Sequence, residues 1–322
     1  MRVLLTGSSG WLGRFLAPRL RAAGHVVTGL DVARGADTDL VGSVADRRLI
    51  DRAFGERGIE AVVHAGALHK PDIARYPAQS FIDVNVTGTL NLLEASVANG
   101  ARAFVFTSTT SLMISSAIRE AKGDAAVWID EAMAPLEPRN IYGVTKLAAE
   151  QLCKLYHAKH GLPCLVLRTG RFFPEDDDTH QALSGANMKA NELLHRRLTV
   201  EDAADAHVMA LERAADIGFD MVILSAPTPF QRRDIVDVKA DAPAVIARYF
   251  PRAAALYAAR GWQLPESIDR VYDAARAEAV LGFRPRTDFA GVLSALESNA
   301  PLPVAHDAGY VSPKEQQAPC DA

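Results

Sequence analysis

Between the apolar run Val3-Leu4-Leu5 and a stretch whose periodicity predicts a helix from Trp11 to Ala23 stands Thr6-Gly7-Ser8-Ser9-Gly10-Trp11-Leu12-Gly13. A strand, a glycine turn and a helix start leave this segment few ways to fold. Gly7 takes backbone angles that a side chain forbids, Gly10 lets a diphosphate approach the main chain, and Gly13 lets the helix pack closely on the strand. The helix N-terminus then faces an anion. Gly7, Ser9, Gly10 and Gly13 are therefore candidate contacts for a dinucleotide. An ordinary tight turn fits the glycines alone equally well, so the segments that follow carry the argument.

Downstream, His25-Val26-Val27-Thr28-Gly29-Leu30-Asp31 reads as a second strand ending in a carboxylate, 18 residues beyond Gly13. An acid about 20 residues on accepts hydrogen bonds from adenosine ribose hydroxyls and repels a 2′-phosphate, which favours NAD over NADP. Arg14 and Arg34 weigh the other way, because a guanidinium can reach a phosphate. A helix is expected from Asp46 to Arg57, then a short buried strand Ala61-Val62-Val63-His64. The small residues Ala65-Gly66-Ala67 after it let a cofactor lie against the backbone. His64, among apolar neighbours, reads as a core histidine, whereas His69 on the next loop can face substrate.

A helix from Pro77 to Asn99 leads to the strand Ala103-Phe104-Val105-Phe106, which runs into Thr107-Ser108-Thr109-Thr110-Ser111. Five hydroxyls thus crowd one strand end, as a polar turn or as a substrate wall that includes Thr110 and Ser111. Strands alternating with amphipathic helices predict an α/β, Rossmann-type, doubly wound parallel sheet with its ligand beyond the carboxyl ends of the strands. From Ile114 to Glu137 the chain reads as irregular, and a helix then begins at Tyr142-Gly143-Val144-Thr145-Lys146 and continues towards His160. Residues four apart share a helix face, so Tyr142 and Lys146 can point into one cavity, where an ammonium lowers the tyrosine pKa and a tyrosinate takes a proton from a hydroxyl.

The chain of 322 residues has a net charge of −4 and no long basic run, so no nucleic-acid partner is expected. The apolar start is too short for a signal peptide or a membrane span, and the expectation is a cytoplasmic protein with no membrane partner. Cys153, Cys164 and Cys320 are odd in number and far from metal-ligand spacing, which predicts reduced thiols and no metal.

Taken in this order, the glycine turn, Asp31, His64-Ala65-Gly66-Ala67, Asn85-Val86-Thr87-Gly88-Thr89, Thr107-Ser108-Thr109 and Tyr142 to Lys146 resemble the extended short-chain dehydrogenase/reductase superfamily, in particular the NAD-dependent epimerase/dehydratase family. The resemblance spans residues 1 to 298. It implies that Tyr142 is the acid/base, that Lys146 holds the nicotinamide ribose and tunes the tyrosine, and that Thr109 hydrogen-bonds the reacting oxygen. It also implies cofactor contacts at Trp11, Leu12, Val44, Ala65 and Asn85, beside those named above. Ser43 stands where the family often writes an acid, and Leu112-Met113-Ile114 replaces the frequent Val-Tyr-Gly. Thr169-Gly170-Arg171-Phe172-Phe173-Pro174 departs from the usual proline and asparagine pattern. Arg171 either binds an anionic substrate group or pairs with the acid run from Glu175 to Asp178.

Three regions are expected. Residues 1–170 form the NAD-binding core with Tyr142 and Lys146, 171–300 a small, mostly helical substrate-binding lid, and 301–322 a flexible tail or an arm on a neighbouring subunit. The last core strand, Met221 to Leu224, and its helix, within about 198–226, interrupt the lid. Asp202 and Asp205 read as capping and packing residues, Trp262 and Tyr272 as packing ones that can also line a pocket, and helical periodicity runs from Asp234 to Arg260 and from Ile268 to Leu281. The short segment from Pro174 to Arg197 counts against a nucleotide-sugar substrate. The expected function is oxidation of a secondary hydroxyl of a sugar-like small molecule by hydride transfer to NAD, ending in epimerisation if hydride returns and in dehydrogenation if the ketone leaves. Dehydration is disfavoured because Thr110 and Ser111, not Asp and Glu, follow Thr109. A nucleotide-sensing protein on the same fold needs no chemistry and stays as the other class. The resemblance implies a homodimer through the helices at Pro77 to Asn99 and Asn140 to His160.

Overall fold

The computed structural model describes residues 1–175, 183–305, 307 and 309–316. Its centre is a parallel sheet of seven strands, β1 (Arg2–Thr6), β2 (Val26–Asp31), β3 (Leu40–Val41), β4 (Ala61–His64), β5 (Ala103–Thr109), β7 (Cys164–Thr169) and β8 (Phe219–Leu224). Their order is β3-β2-β1-β4-β5-β7-β8. The chain winds outward from β1 through β3, then returns to lay β4 on the other side of β1. The carboxyl ends of β1 and β4 therefore flank the switch point where such sheets hold a ligand.

Alternate strand residues build the two faces. Val3, Leu5, Val63, Val105 and Leu167 pack against α1 (Trp11–Ala22) and α8 (Val200–Ile217). Leu4, Val62, Phe104, Phe106 and Val166 face α2 (Arg47–Arg57), α4 (Gly88–Ala98) and α6 (Ile141–His160). Strands covered on both sides read as continuous apolar runs, and so these strands were legible. Helix starts are set by side chains that accept from free amides: Asp46 caps α2, Asn140 caps α6 and Thr199 caps α8. Asp202 accepts from the Thr199 hydroxyl and from the amides of Arg286 and Thr287, while Asp205 pairs with Arg19 and Arg286, so both serve packing.

The expected single helix from Pro77 to Asn99 is in fact α3 (Ala78–Phe81) and α4 joined by a π turn, Ile82–Thr87. The wider turn places Asn85 beneath the loop at Leu68, to which it is hydrogen-bonded. The region from Ile114 to Glu137, read as irregular, carries α5 (Ser116–Glu120) and the strand β6 (Val127–Ile129). That strand pairs in parallel with β9 (Arg270–Tyr272), which opens a stretch expected to be wholly helical; only α12 (Ala275–Leu281) is. Strands of three residues show no alternation to read, and their partner lies far along the chain.

Around that small sheet, α7 (Gly185–Glu192), α9 (Ile235–Ala240), α10 (Ala242–Tyr249), α11 (Ala253–Ala259) and α13 (Phe289–Ser298) close a separate core on Leu193, Phe230, Val245, Tyr257, Val271 and Phe289. Trp262 packs edge-on to Tyr257 there. Residues 309–316 turn back across the sheet's carboxyl edge: Tyr310 meets Trp11 edge-on at 5.0 Å, and Lys314 donates to the buried Asp72 at 2.5 Å. Cys153 and Cys164 are buried free thiols in the sheet core, and Cys320 lies outside the described residues. Among the described residues no helix is long and apolar enough to cross a membrane.

Candidate active site

A cavity of about 1050 Å³ opens over the carboxyl ends of the strands. At the switch point its wall is backbone. Gly7 has φ +73°, and the Thr6 hydroxyl, at the end of β1, accepts from the Gly66 amide at 3.0 Å, drawing the turns after β1 and β4 together. A Cβ on Gly7 would lie 2.8 Å from the Gly66 nitrogen, and one on Gly13 2.1 Å from the Gly7 carbonyl oxygen. Only bare main chain fits, and it leaves amides at the start of α1 open to an anion.

Asp31, at the end of β2, fixes this turn by accepting from the amides of Ser9 at 2.9 Å and Ala33 at 3.0 Å. Each carboxylate oxygen retains lone-pair capacity for a ribose hydroxyl. Arg14 instead lies over the rings of Trp11 and Tyr310, and Arg34 is not on the cavity wall. The donor and acceptor set therefore fits a dinucleotide without a 2′-phosphate.

The structure brings Gly7, Ser9, Gly10, Trp11, Leu12, Gly13, Asp31, Val44, Ala65, Gly66 and Ala67 to this wall. The Ser9 hydroxyl, however, donates to the Ala33 carbonyl. Asn85, expected at the cofactor, is not on the wall. Its amide bonds the Leu68 backbone in both directions and donates to the Thr145 hydroxyl, bracing the helix next to Lys146. The Thr89 hydroxyl donates to the Asn85 carbonyl, so it accepts from His64 Nε2 at 3.0 Å, and the Thr6 hydroxyl meets Nδ1 at 2.7 Å. Burial lowers the His64 pKa to about 3, with the Lys146 charge adding to the effect. It is a neutral core histidine, as its apolar neighbours indicated.

Tyr142, Lys146 and Thr109 line the same cavity. Tyr142 is 8% exposed, with the Thr109 side chain beside it. Burial pushes its pKa up to about 12, with the neighbouring Thr109 side chain pulling down and the Asp72 charge adding to the rise. The lowered tyrosine pKa expected from the helical spacing is thus not present. The reason is that Lys146 Nζ donates to the Thr107 carbonyl at 2.6 Å and lies 4.0 Å from the Phe106 ring centroid. Burial takes the Lys146 pKa down to about 7, partly offset by the Glu150 charge. Below this layer, buried Arg168 grips Glu150 through two nitrogens, at 3.0 and 2.7 Å, and Ser108 donates to the same carboxylate, tying β5 and β7 to α6.

The other hydroxyls and charges divide. Thr110 is on the wall but its hydroxyl donates to the Thr169 carbonyl, and the Ser111 amide donates to Thr109 Oγ1. His69 is on the wall between the rings of Tyr142 and Phe173, each 5.8 Å away, and burial holds its pKa well below the ordinary value. Arg171 lines the cavity 3.9 Å from Glu192, an acid not foreseen for it; Asp176, Asp177 and Asp178 of the acid run lie outside the described residues. Tyr272, for which the sequence leaves packing and pocket lining both open, reaches the wall. Sequence reasoning missed Arg119, Arg139, Arg196 and Arg270, and also Tyr310 and Lys314, all of which line the cavity. Nothing in their spacing marks the arginines and Lys314 among 35 lysines and arginines, or Tyr310 near the end of the chain.

The sequence model of the NAD dependent epimerase/dehydratase family matches residues 3–223. Uronate dehydrogenase of Pseudomonas syringae pv. tomato is 24% identical over 226 residues, covering 68% of this chain and 77% of that one. UDP-glucose 4-epimerase of Rhizobium meliloti is 26% identical over 330 residues, covering 90% and 94%. Among solved structures, a short-chain dehydrogenase/reductase superfamily protein from Agrobacterium tumefaciens with bound NAD superposes with a TM-score of 0.64 at 24% identity, covering 92% of this chain and 96% of that one.

Proposed function

Because the chain belongs to the NAD dependent epimerase/dehydratase family, and is an NAD-dependent enzyme of the extended short-chain dehydrogenase/reductase type, we propose that it oxidises a secondary hydroxyl of a sugar or sugar-like substrate, with Tyr142 as acid/base. The observation that carries this reading is one cavity lined by the bare glycine turn, Thr109, Tyr142 and Lys146, the last two on the same face of α6. When bound, NAD supplies the hydride acceptor and the positive charge of its oxidised ring. Tyr142 takes the hydroxyl proton as the alcohol becomes a carbonyl, and Thr109 hydrogen-bonds the oxygen as its charge changes. A cation beside Tyr142 lowers its raised pKa, and Lys146, poised near neutrality, holds the nicotinamide ribose and contributes that charge when protonated. The backbone of Gly7, Gly10 and Gly13 seats the diphosphate, Asp31 takes the adenosine ribose, and Trp11, Leu12, Val44, Ala65, Gly66 and Ala67 wall the remainder.

Thr110 and Ser111 leave no acid and base pair after Thr109, which disfavours dehydration. Residues 171–300, apart from the segment at about 198–226, form the substrate-binding part. A homodimer through α3, α4 and α6 accounts for the exposed Ile82, Val144 and Leu155. A cytoplasmic location accords with two reduced thiols in the core.

The test is to purify the protein without added nucleotide, release any bound cofactor by denaturation and identify it with its redox state by mass spectrometry and absorbance. Retained NAD in both redox states supports an internal hydride cycle and an epimerase; reversible binding to an empty protein supports a dehydrogenase that exchanges cofactor. Retained NADP overturns the reading of Asp31. Undiminished turnover in Tyr142→Phe overturns the acid/base assignment, and an unaltered biological effect of that variant favours sensing over catalysis.

A further inference from the structure

Four arginines reach the substrate end of the cavity from four places: Arg119 from α5, Arg139 from the loop before α6, Arg196 from the turn after α7 and Arg270 from β9. Like charges gathered by separate segments repel one another, so their convergence calls for a counter-charge. Among the described residues no carboxylate lies within ion-pair distance of Arg119, Arg139 or Arg270. Glu192 is shared by Arg196 and Arg197, with Arg171 at 3.9 Å. Asp269 is taken by Lys239. Glu175, also on the wall, sits among Arg171, Lys189 and Arg197.

Arg270 is 8% exposed, and its Nε is buried with no hydrogen-bond partner; the Nε of Arg196 is likewise buried and unpartnered. Burying a donor without a partner is unfavourable unless a bound group takes it up. Mutual repulsion is visible in the group itself: Arg139 and Arg196 pull the Arg119 pKa down beyond the effect of burial, and Arg196 and Arg119 do the same to Arg270.

We propose that Arg119, Arg139, Arg196 and Arg270 form a subsite for an anionic substituent of the substrate, a carboxylate or a phosphate ester, held apart from the carbon that reacts at Tyr142. A guanidinium fork matches the paired oxygens of either group, and a buried anion here satisfies donors that the chain leaves open. The subsite is a feature of this chain's own segments. Arg270 lies beyond the residues that match the family model, and Arg119 follows Leu112-Met113-Ile114, where the sequence departs from the family pattern. The proposal rests on the reading of this cavity as the substrate site, and narrows the substrate from a sugar-like alcohol to an acidic or phosphorylated one.

The experiment is calorimetric titration of the NAD-loaded protein, whose glycine turn is then taken, with inorganic phosphate, acetate, a hexuronate, a hexose 6-phosphate and the neutral hexose. Saturable binding of an anionic probe, at least about tenfold tighter than the neutral hexose and weakened about tenfold in Arg119→Gln or Arg139→Gln, is expected. Both positions are exposed, so these variants keep the fold, and Arg270→Gln is expected to show the larger loss. The hexuronate and hexose 6-phosphate arms tell the carboxylate from the phosphate. No saturable binding of any anionic probe, or binding that survives the arginine substitutions, overturns the proposal. The readout is binding, so a failure of Tyr142 as the acid/base would appear in turnover alone and leave this result standing.

Discussion

The two ends of the cavity are built from different materials. At the cofactor end the wall is main chain, held by contacts so tight that a single added carbon has no room: Gly13 against Gly7 and Gly7 against Gly66. At the other end the wall is long cationic side chains carried by a short helix, two loops and a three-residue strand. A backbone wall is specified by what is absent and tolerates little variation, whereas a side-chain wall is specified by what converges there and can be re-aimed one residue at a time. The cavity therefore pairs a rigid backbone end with an alterable side-chain end, and Tyr142 lines it as well.

The sharpest way to test that pairing is Tyr142→Phe, which removes one hydroxyl and should lower turnover by about 10²–10⁴-fold while NAD binding, measured by titration, is unchanged. A parallel loss of NAD binding would place the tyrosine in the cofactor wall. Gly13→Ala attacks the backbone end alone: an overpacking cost of about 1–3 kcal/mol should weaken NAD by about ten- to a hundredfold, with binding of anionic probes at the arginines spared. Unaltered NAD affinity would mean that the turn yields more readily than its contacts indicate.

Two buried histidines allow the ends to be compared by pH. His64 lies under the backbone end and His195, whose Nδ1 faces the Arg270 carbonyl at 2.9 Å, under the arginine end. Burial lowers each pKa to about 3. The unfolded chain then binds more protons than the folded one below about 6.5, so these groups lose stability as pH falls from there towards 3, by up to about 1.4 kcal/mol per pH unit each. Urea unfolding at pH 7 and pH 5 should show the loss, and His64→Gln or His195→Gln should flatten the slope by one proton; an unchanged slope would mean that the histidine titrates as if exposed. The smallest effect is expected from salt. Raising it from about 0.05 to 0.5 M should weaken anionic probes several-fold at the arginine end and NAD less, since much of the cofactor's grip is backbone hydrogen bonding. Equal sensitivity would erase the distinction between the ends.

Legibility followed the same division. The turn from Thr6 to Gly13, the carboxylate of Asp31 and the pair Tyr142 and Lys146 were readable because strand–turn–helix geometry fixes each within a few residues of its neighbours. The core strands were readable from their unbroken apolar runs. Asn85 was misplaced: the motif was recognised, but the π turn that sends its amide to Leu68 and Thr145 leaves no mark in the residue types. The tyrosine pKa was misjudged for a related reason, since spacing puts Lys146 on the correct face and cannot show that its ammonium goes to the Thr107 carbonyl. Arg119 and Arg270 lie on α5 and β9, elements too short to have a period, and they meet only because β6 and β9 pair.

Taken alone, the sequence determined the parallel sheet, the glycine turn and the placing of Tyr142 and Lys146 on one helix face, because each is decided by local backbone geometry and by which residues must leave water. The tertiary structure alone decided which charges share the substrate end, how Tyr142 and Lys146 are poised, and where residues 309–316 lie. Those outcomes depend on burial and on through-space distances between segments up to some 240 residues apart, such as Lys314 and Asp72, which no local pattern encodes.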